Sequence, residues 1–356
     1  MTTDRPQLTG LTPEELAAWL KDLGEPAFRA RQVMDWLVKG RDFGEMRNLP
    51  AALRERLPSL AVAQPAAILE RHPSRDDGTV KLLFSLQDGQ CVEGVLMRYA
   101  HGVTLCLSTQ VGCAMGCAFC ASTLGGRVRN LTRGEMCGMA YLANRMLEPE
   151  RLGNVVLMGS GEPLDNYEEV TGFLRLVSMP EGFNLGLRHI SLSTCGLTGP
   201  MRRLADEGLP VTLSVSLHAP NDRIRAQIMP VARAFPMEDL LDACRYYIQQ
   251  TGRRVVFEYA LIHGVNALPA HARELASRVR GMQCHVNLIP LNDVPERDLR
   301  AAERDEVRRF REELERLNVS VTVRRQLGDD VAGACGQLRA RRLKTPTAPG
   351  GEGGAG

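Results

Sequence analysis

Three cysteines fall within eight residues in the run Cys113-Ala-Met-Gly-Cys117-Ala-Phe-Cys120, just after a strand-like stretch from Val103 to Ser108. Thiols this closely spaced on one short loop are metal ligands by type, and a Cys-x3-Cys-x2-Cys set suits an iron–sulfur cluster. Such clusters usually take four protein ligands, so three leave one iron open to a substrate or cofactor. Two other readings stand beside this one. A disulfide would be unusual in an intracellular enzyme. A structural zinc site ordinarily shows two paired-Cys knuckles or a Cys/His set, and the chain has no second Cys-x2-Cys pair.

Further polar groups come just after other strand-like runs: Gly159-Ser160-Gly161-Glu162-Pro163, Ser193-Thr194-Cys195-Gly196, Ser216-Leu217-His218, and Asn287 to Asn292. Each is weak alone, because Gly-rich turns are common and a lone His is more often structural. Together they put polar groups at successive strand ends, around the place where the first strand presents its thiols, as a nucleoside and amino-acid ligand would need.

The elements that must hold these groups follow from periodicity. Thr104–Ser108, Val155–Met158, His189–Ser193, Val211–Leu217, Val255–Leu261 and His285–Ile289 read as strands. Helices follow them from Thr132, about Glu168, about Pro200, Met237, Leu268 and Ala301. Six strand–helix repeats give an α/β fold: a partial (β/α)6 TIM-like barrel, with chemistry expected in the loops after the strands. Ahead of it, Ile68–Arg71, Val80–Leu86 and Cys91–Met97, separated by the turn signals Asp77-Gly78 and Asp88-Gly89, form a short β-meander extension. The N-terminal segment is helical: Thr12-Pro13-Glu14-Glu15 is a capping box, and helices are expected after it, over Pro26–Val38 and through Leu57. The expected organisation is a helical domain over 1–62, the meander over 63–102, the barrel with a C-terminal cysteine segment over 103–343, and a disordered Pro/Gly-rich tail over 344–356.

The 356-residue chain has room for about two domains, and its net charge of +2 neither requires nor excludes a nucleic-acid partner, which needs only a local basic patch. No apolar run is long enough to cross a membrane and the N-terminus lacks a signal-peptide pattern, so a cytoplasmic location is expected. Ten cysteines then point to reduced thiols with chemical roles.

The cysteine spacing with Phe119 before the last thiol resembles the cluster loop of the radical S-adenosylmethionine (SAM) superfamily. From about Leu11 to Leu338 the chain resembles the dual-specificity ribosomal and transfer RNA adenine-C2 methyltransferases of that superfamily, whose sister family methylates C8. The resemblance rests on DGTVKLLFSL, VEGVLM, TLCLSTQVGCAMGCAFC, VLMGSGEPLDNY, SLSTCGL, SVSLHAPND, NLIPLN and GDDVAGACGQL. It implies a radical-SAM barrel, an RNA-binding helical domain, and methylation of adenosine C2 in the peptidyl-transferase centre of 23S rRNA and next to the anticodon of tRNA. An electron donor such as flavodoxin, no membrane partner and a monomer are expected.

Residue by residue, the resemblance implies that Cys113, Cys117 and Cys120 hold a [4Fe-4S] cluster, and that Gly161, Glu162, Ser193, Ser216, Leu217, His218 and Asn292 bind SAM. Cys335 would be methylated by one SAM, and a radical from a second would convert that methyl into a methylene joined to adenine. Glu93 would accept the proton at the substrate carbon, and Cys106 would resolve the adduct through a transient disulfide with Cys335. A solvent-facing hairpin carboxylate and an inert core thiol are the alternatives for Glu93 and Cys106. Cys91, Cys137, Cys195, Cys244 and Cys284 match no role. Arg127, Arg129, Arg133, Arg223, Arg225, Arg233, Arg324, Arg325 and the basic residues beyond Cys335 are candidate phosphate contacts. Two departures from the family pattern are Ser160, where Met is usual, and Ala232, where many members have Asn. A radical-SAM enzyme acting on a small molecule or peptide, and a non-enzymatic RNA-binding protein with structural zinc, are the more distant readings.

Overall fold

The computed structural model describes residues 5–291 and 298–325. Three helices open the chain, α1 (Pro13–Asp22), α2 (Arg29–Leu37) and α3 (Ala51–Leu60). The Thr12 hydroxyl accepts the Glu15 amide and the Glu15 carboxylate accepts the Thr12 amide, so α1 starts on the expected reciprocal cap. Leu16, Leu20, Val33, Leu37, Leu53 and Leu57 close a core that belongs to these helices. The segment is tied off where Leu8 and Val62 meet: the Leu8 amide donates to the Val62 carbonyl and the Val62 amide to the Pro6 carbonyl.

Strands β1 (Ala66–Pro73), β2 (Val80–Leu86), β3 (Cys91–Tyr99) and β4 (Gly102–Leu107) then form an antiparallel meander. A short ribbon, β5 (Gln110–Gly112) against β6 (Arg127–Asn130), brackets the cysteine loop. Next come α4 (Arg133–Arg145), β7 (Leu152–Leu157), α5 (Tyr167–Ser178), β8 (Ile190–Thr194), α6 (Thr198–Asp206), β9 (Thr212–Ser216), α7 (Asp222–Ile228) and α8 (Met237–Thr251). The last are β10 (Val255–Leu261), α9 (Pro269–Arg278), β11 (Cys284–Pro290), α10 (Arg304–Arg316) and β12 (Val321–Val323).

All the strands except β5 and β6 join one sheet in the order β1-β2-β3-β4-β7-β8-β9-β10-β11-β12. It is antiparallel as far as β4 and parallel from β4 onward. Strand β4 is therefore both the last strand of the meander and the first of the open barrel, which fixes the meander beside the site. The apolar faces of α4, α5, α6, α8, α9 and α10 cover the parallel strands in one continuous core.

The expected strand–helix alternation is the architecture observed. The ribbon β5–β6, helix α7 and edge strand β12 were not expected: the strands of three or four residues are too short to show a period, and α7 lies inside what reads as a loop. Helix α2 starts at Arg29 rather than Pro26, and β1 extends beyond Ile68–Arg71 on both sides.

Candidate active site

A cavity of about 320 Å³ opens at the carboxyl ends of the parallel strands, within the size range of small-molecule sites. Cys113, Cys117 and Cys120 line one wall. Their loop is held at several points: the Cys113 amide donates to the Gly126 carbonyl, the Ala118 amide to Ile228 at the end of α7, and the Thr123 hydroxyl to Cys117 and Cys120. Burial pushes the Cys113 thiol up to about 11, with further upward pressure from Cys120, and raises Cys117 further still. Thiolates packed here in a dry wall require a compensating cation.

Gly161, Glu162, Ser193, Ser216 and His218 line the same cavity. Glu162 follows β7, and its carboxylate is fixed by two main-chain donors, Leu164 at 3.0 Å and Cys195 at 2.7 Å. Burial raises its pKa, and those donors oppose the rise. The Glu162 amide in turn donates to the side chain of Gln110, a fully buried residue that also bonds Asn130 and Asp165. His218 follows β9; the Ala260 amide donates to its Nδ1 at 2.9 Å, and Phe119 of the cysteine loop packs edge-on against its ring at 4.7 Å. Burial lowers the His218 pKa to about 3, helped by Arg225, so the ring is neutral at pH 7.

Leu217 differs from its neighbours: its side chain lies in the apolar core rather than in the cavity wall, leaving only its backbone to contact a ligand. Cys106, on β4 opposite Val95 of β3, lines the cavity with Val95 and Met97. Glu93 lies two residues along β3 on the same face, is 4% exposed, and ends on Lys81 of β2, 3.1 Å from Nζ. It is therefore not the solvent-facing carboxylate of the alternative reading. Asn292 and Cys335 lie outside the described residues.

Several participants were given no role by the sequence. Gln110, Lys81 and the buried Glu258 of β10 reach the site or its support only through strand pairing and loop return, and Cys195, from the strand-end run Ser193 to Gly196, contributes its amide to Glu162. Two candidate phosphate contacts are corrected. Arg225 is fully buried on α7 and donates to the carbonyls of Cys195, Ser216 and Phe235. Arg129 is clamped between Asp88 and Glu135. Arg127 and Arg133 pair with Asp165 and Glu169.

Residues 107–276 match the Radical SAM superfamily, and residues 6–63 match the Ribosomal RNA large subunit methyltransferase N-terminal domain. Relatives named "Probable dual-specificity RNA methyltransferase RlmN" include those of Clostridium tetani, 46% identical over 95% of this chain and 97% of that protein, and Symbiobacterium thermophilum, 51% identical over 95% and 92%. The chain belongs to the RlmN family. A radical SAM methyltransferase from Sphaerobacter thermophilus has the same fold, with a TM-score of 0.90 and 43% identity over 93% of this chain and 98% of that one.

As an RlmN-type radical-SAM RNA methyltransferase, the protein uses a [4Fe-4S] cluster and SAM. The residues present fit both. Among the described residues no three His, Cys, Asp or Glu side chains could hold a single metal ion, whereas a cluster takes each thiolate on a separate iron. In the same cavity as the thiols, the Glu162 carboxylate, held by two main-chain amides, is the type of group that receives an ammonium. No helix among the described residues is long and apolar enough to cross a membrane.

Proposed function

We propose that the protein methylates carbon 2 of adenosine in the peptidyl-transferase centre of 23S rRNA and next to the anticodon of tRNA, through a methylated Cys335. The observation that carries this reading is a thiol in the cavity that belongs neither to the cysteine loop nor to the Glu162 contacts. Among the described residues, two thiols line the pocket besides Cys113, Cys117 and Cys120. Cys195 is engaged with Glu162, whereas Cys106 stands on β4 beside Val95 and Met97, where a cluster with an open iron has no use for a further thiol. An adduct on Cys335 does need one, to be released by attack at its sulfur.

The cluster and SAM, held by the three loop thiols and the Gly161–Glu162 pair, supply the methyl group and the hydrogen-abstracting radical that an electron-poor aromatic carbon requires. Glu162 receives the methionyl ammonium. Because the Ala260 amide occupies Nδ1, the neutral His218 ring carries its proton on Nε2 and offers it as a donor toward the cavity. Ser193, Ser216, the backbone at Leu217, and Asn292 bind the remaining polar atoms of SAM. Cys335 takes the methyl group and Glu93 takes the proton from the substrate carbon. Once the adduct's unpaired electron has returned to the one-electron carrier, the Cys106 thiolate attacks the Cys335 sulfur. The sulfur–carbon bond breaks as the disulfide forms, and the freed methylene carbon takes up a proton to become the methyl group. The N-terminal helices bind the RNA, flavodoxin is the electron donor, and the working state is a monomer.

The test is mass spectrometry of nucleosides from unmodified ribosomal RNA and tRNA after anaerobic incubation with methyl-deuterated SAM and a reductant. The expected product is 2-methyladenosine carrying two deuteriums, abolished by Cys335→Ala. An 8-methyladenosine product would move the chain to the sister reaction with the same residues. Absence of any labelled adenosine, with SAM cleavage intact, would remove the proposal.

A further inference from the structure

Lys81 is fully buried in β2, a strand otherwise built of apolar residues and one serine, and its ammonium lies 3.1 Å from a carboxylate oxygen of Glu93, itself 4% exposed. Taking both charges out of water costs more than such a pair usually returns, and two apolar residues of similar volume would generally hold two strands together as well. Sheet stability therefore does not explain the pair.

Its position does. In the β2–β3 ladder Lys81 faces Val95 and Leu83 faces Glu93, so Lys81 reaches Glu93 diagonally along one face of the sheet. That face carries Val95 and, across the next ladder, Cys106, both in the cavity wall. Leu82 and Phe84, on the other face of β2, go to the main core. The Glu93 backbone is tied to the site as well. The Ser108 hydroxyl donates to the Glu93 carbonyl at 2.7 Å and accepts the Ser160 amide at 3.0 Å, joining β3 to the loop that carries Glu162. Glu93 is thus fixed at its main chain by Ser108 and at its carboxylate by Lys81.

We infer that Lys81 is a positioning residue for Glu93, holding the carboxylate at the angle from which it takes the proton of the covalently bound adenine. This rests on the reading of Glu93 as the proton acceptor. In that step the carbon–hydrogen bond at the substrate carbon breaks, its proton passes to a Glu93 oxygen, and its electron pair stays with the ring; Lys81 keeps its own protons throughout. Methylation of Cys335 and cleavage of SAM precede the step and do not use the pair.

The test follows four readouts in the full-length, cluster-loaded protein with RNA and SAM: methylation of Cys335, release of 5′-deoxyadenosine, covalent protein–RNA species on a denaturing gel, and free methyladenosine. Glu93→Gln should accumulate the covalent species and release product roughly a hundredfold more slowly or worse. Lys81→Met should do the same with a loss of about tenfold or more, while the first two readouts stay within about twofold. Lys81→Arg, which keeps the charge and the fold, should recover part of the release rate. If Lys81→Met proves unstable because it strands a buried carboxylate, the neutral pair Lys81→Met/Glu93→Gln replaces it and should release no more slowly than Glu93→Gln alone.

Normal release by Lys81→Met beside a trapped Glu93→Gln would overturn the role of Lys81 alone. So would a parallel loss of Cys335 methylation and SAM cleavage in both Lys81 variants, which is what a purely structural lysine would give, or additive losses in the double variant. Normal release by Glu93→Gln would remove the proton-acceptor reading, and the inference with it.

Discussion

His218 sits at φ 53°, with its Nδ1 committed to the Ala260 amide and its pKa lowered by burial from 6.5 to about 3. The folded protein keeps the ring neutral, whereas the unfolded chain takes up a proton near pH 6.5. The stability tied to this residue is complete above pH 6.5 and is lost as the pH falls toward 3, at up to about 1.4 kcal/mol per pH unit. His218→Asn should keep the fold at pH 7.5, since asparagine tolerates the left-handed region and its Oδ1 can accept the Ala260 amide. Between pH 7.5 and pH 5 in urea unfolding, the parent chain should lose about 2 kcal/mol more than the variant. Equal losses would assign the acid sensitivity to another group. Glu162 gives a second prediction. Both its oxygens accept main-chain amides, so Glu162→Gln turns an NH2 against one of those donors and removes the charge. SAM affinity measured by equilibrium binding should fall at least about tenfold, or roughly 1.4 kcal/mol; an unchanged Kd would end its assignment as the ammonium partner. At this scale the sequence speaks clearly only where a site is local. Three thiols on one loop are visible by spacing, but Lys81 meets Glu93 through a strand register that no local pattern encodes. Arg225 reads as a surface phosphate contact because nothing near it in sequence announces the carbonyls of Cys195, Ser216 and Phe235 that bury it.

The elements divide by length in the same way. Strands β4 and β7 to β11 and their covering helices are legible because each carries several apolar residues at a constant period. The ribbon β5–β6 carries no such signal, yet it supplies Gln110, whose side chain holds the Glu162 amide at 2.9 Å. Helix α7, also unannounced, ends at Ile228 and there anchors the cysteine loop through Ala118. Gly161 links the ribbon to the end of β7. Its φ is 115°, and a Cβ there would meet the Gln110 side chain at 2.7 Å and its backbone nitrogen at 2.8 Å. Gly161→Ala should cost roughly 1–3 kcal/mol of stability and displace the Glu162 loop from Gln110. The cysteine loop is tethered by its own bonds, Cys113 to Gly126, Ala118 to Ile228 and Thr123 to Cys117 and Cys120, none of which runs through Gly161. The variant should therefore take up iron normally while SAM affinity falls about tenfold or more. Iron content and a SAM binding isotherm on the same sample test this. A parallel loss of both would mean that ribbon and loop move as one unit.

Across the whole molecule, helix α4 joins the two cores. It packs beneath β4 and β1 on one side and meets the N-terminal domain on the other, at the turn Leu8–Gly10 and at Gly40 and Glu45 after α2. It thus sets where the N-terminal helices stand relative to the strand bearing Cys106. Polar contacts pin the junction. Thr9 donates to the Gly134 carbonyl, Thr132 donates to Gln7, and Arg145 bonds both Glu45 and the Gly40 carbonyl. The ion pair is half-exposed and worth about 0–1 kcal/mol, so close packing must decide the orientation. That packing centres on Gly134 in the first turn of α4, where a Cβ would lie 2.6 Å from the Gln7 side-chain oxygen and within 3.3 Å of the Gly10 backbone. Gly134→Leu separates the two effects, because leucine is the better helix former by roughly 0.8 kcal/mol and should strengthen α4 itself. Any loss then comes from the displaced N-terminal helices. The variant should keep its iron and its SAM cleavage, since the barrel loses no contact of its own, yet methylate RNA with kcat/KM reduced at least about tenfold. If RNA methylation persisted, the N-terminal helices would bind RNA without a fixed orientation; if SAM cleavage fell equally, they would instead be a structural support of the barrel.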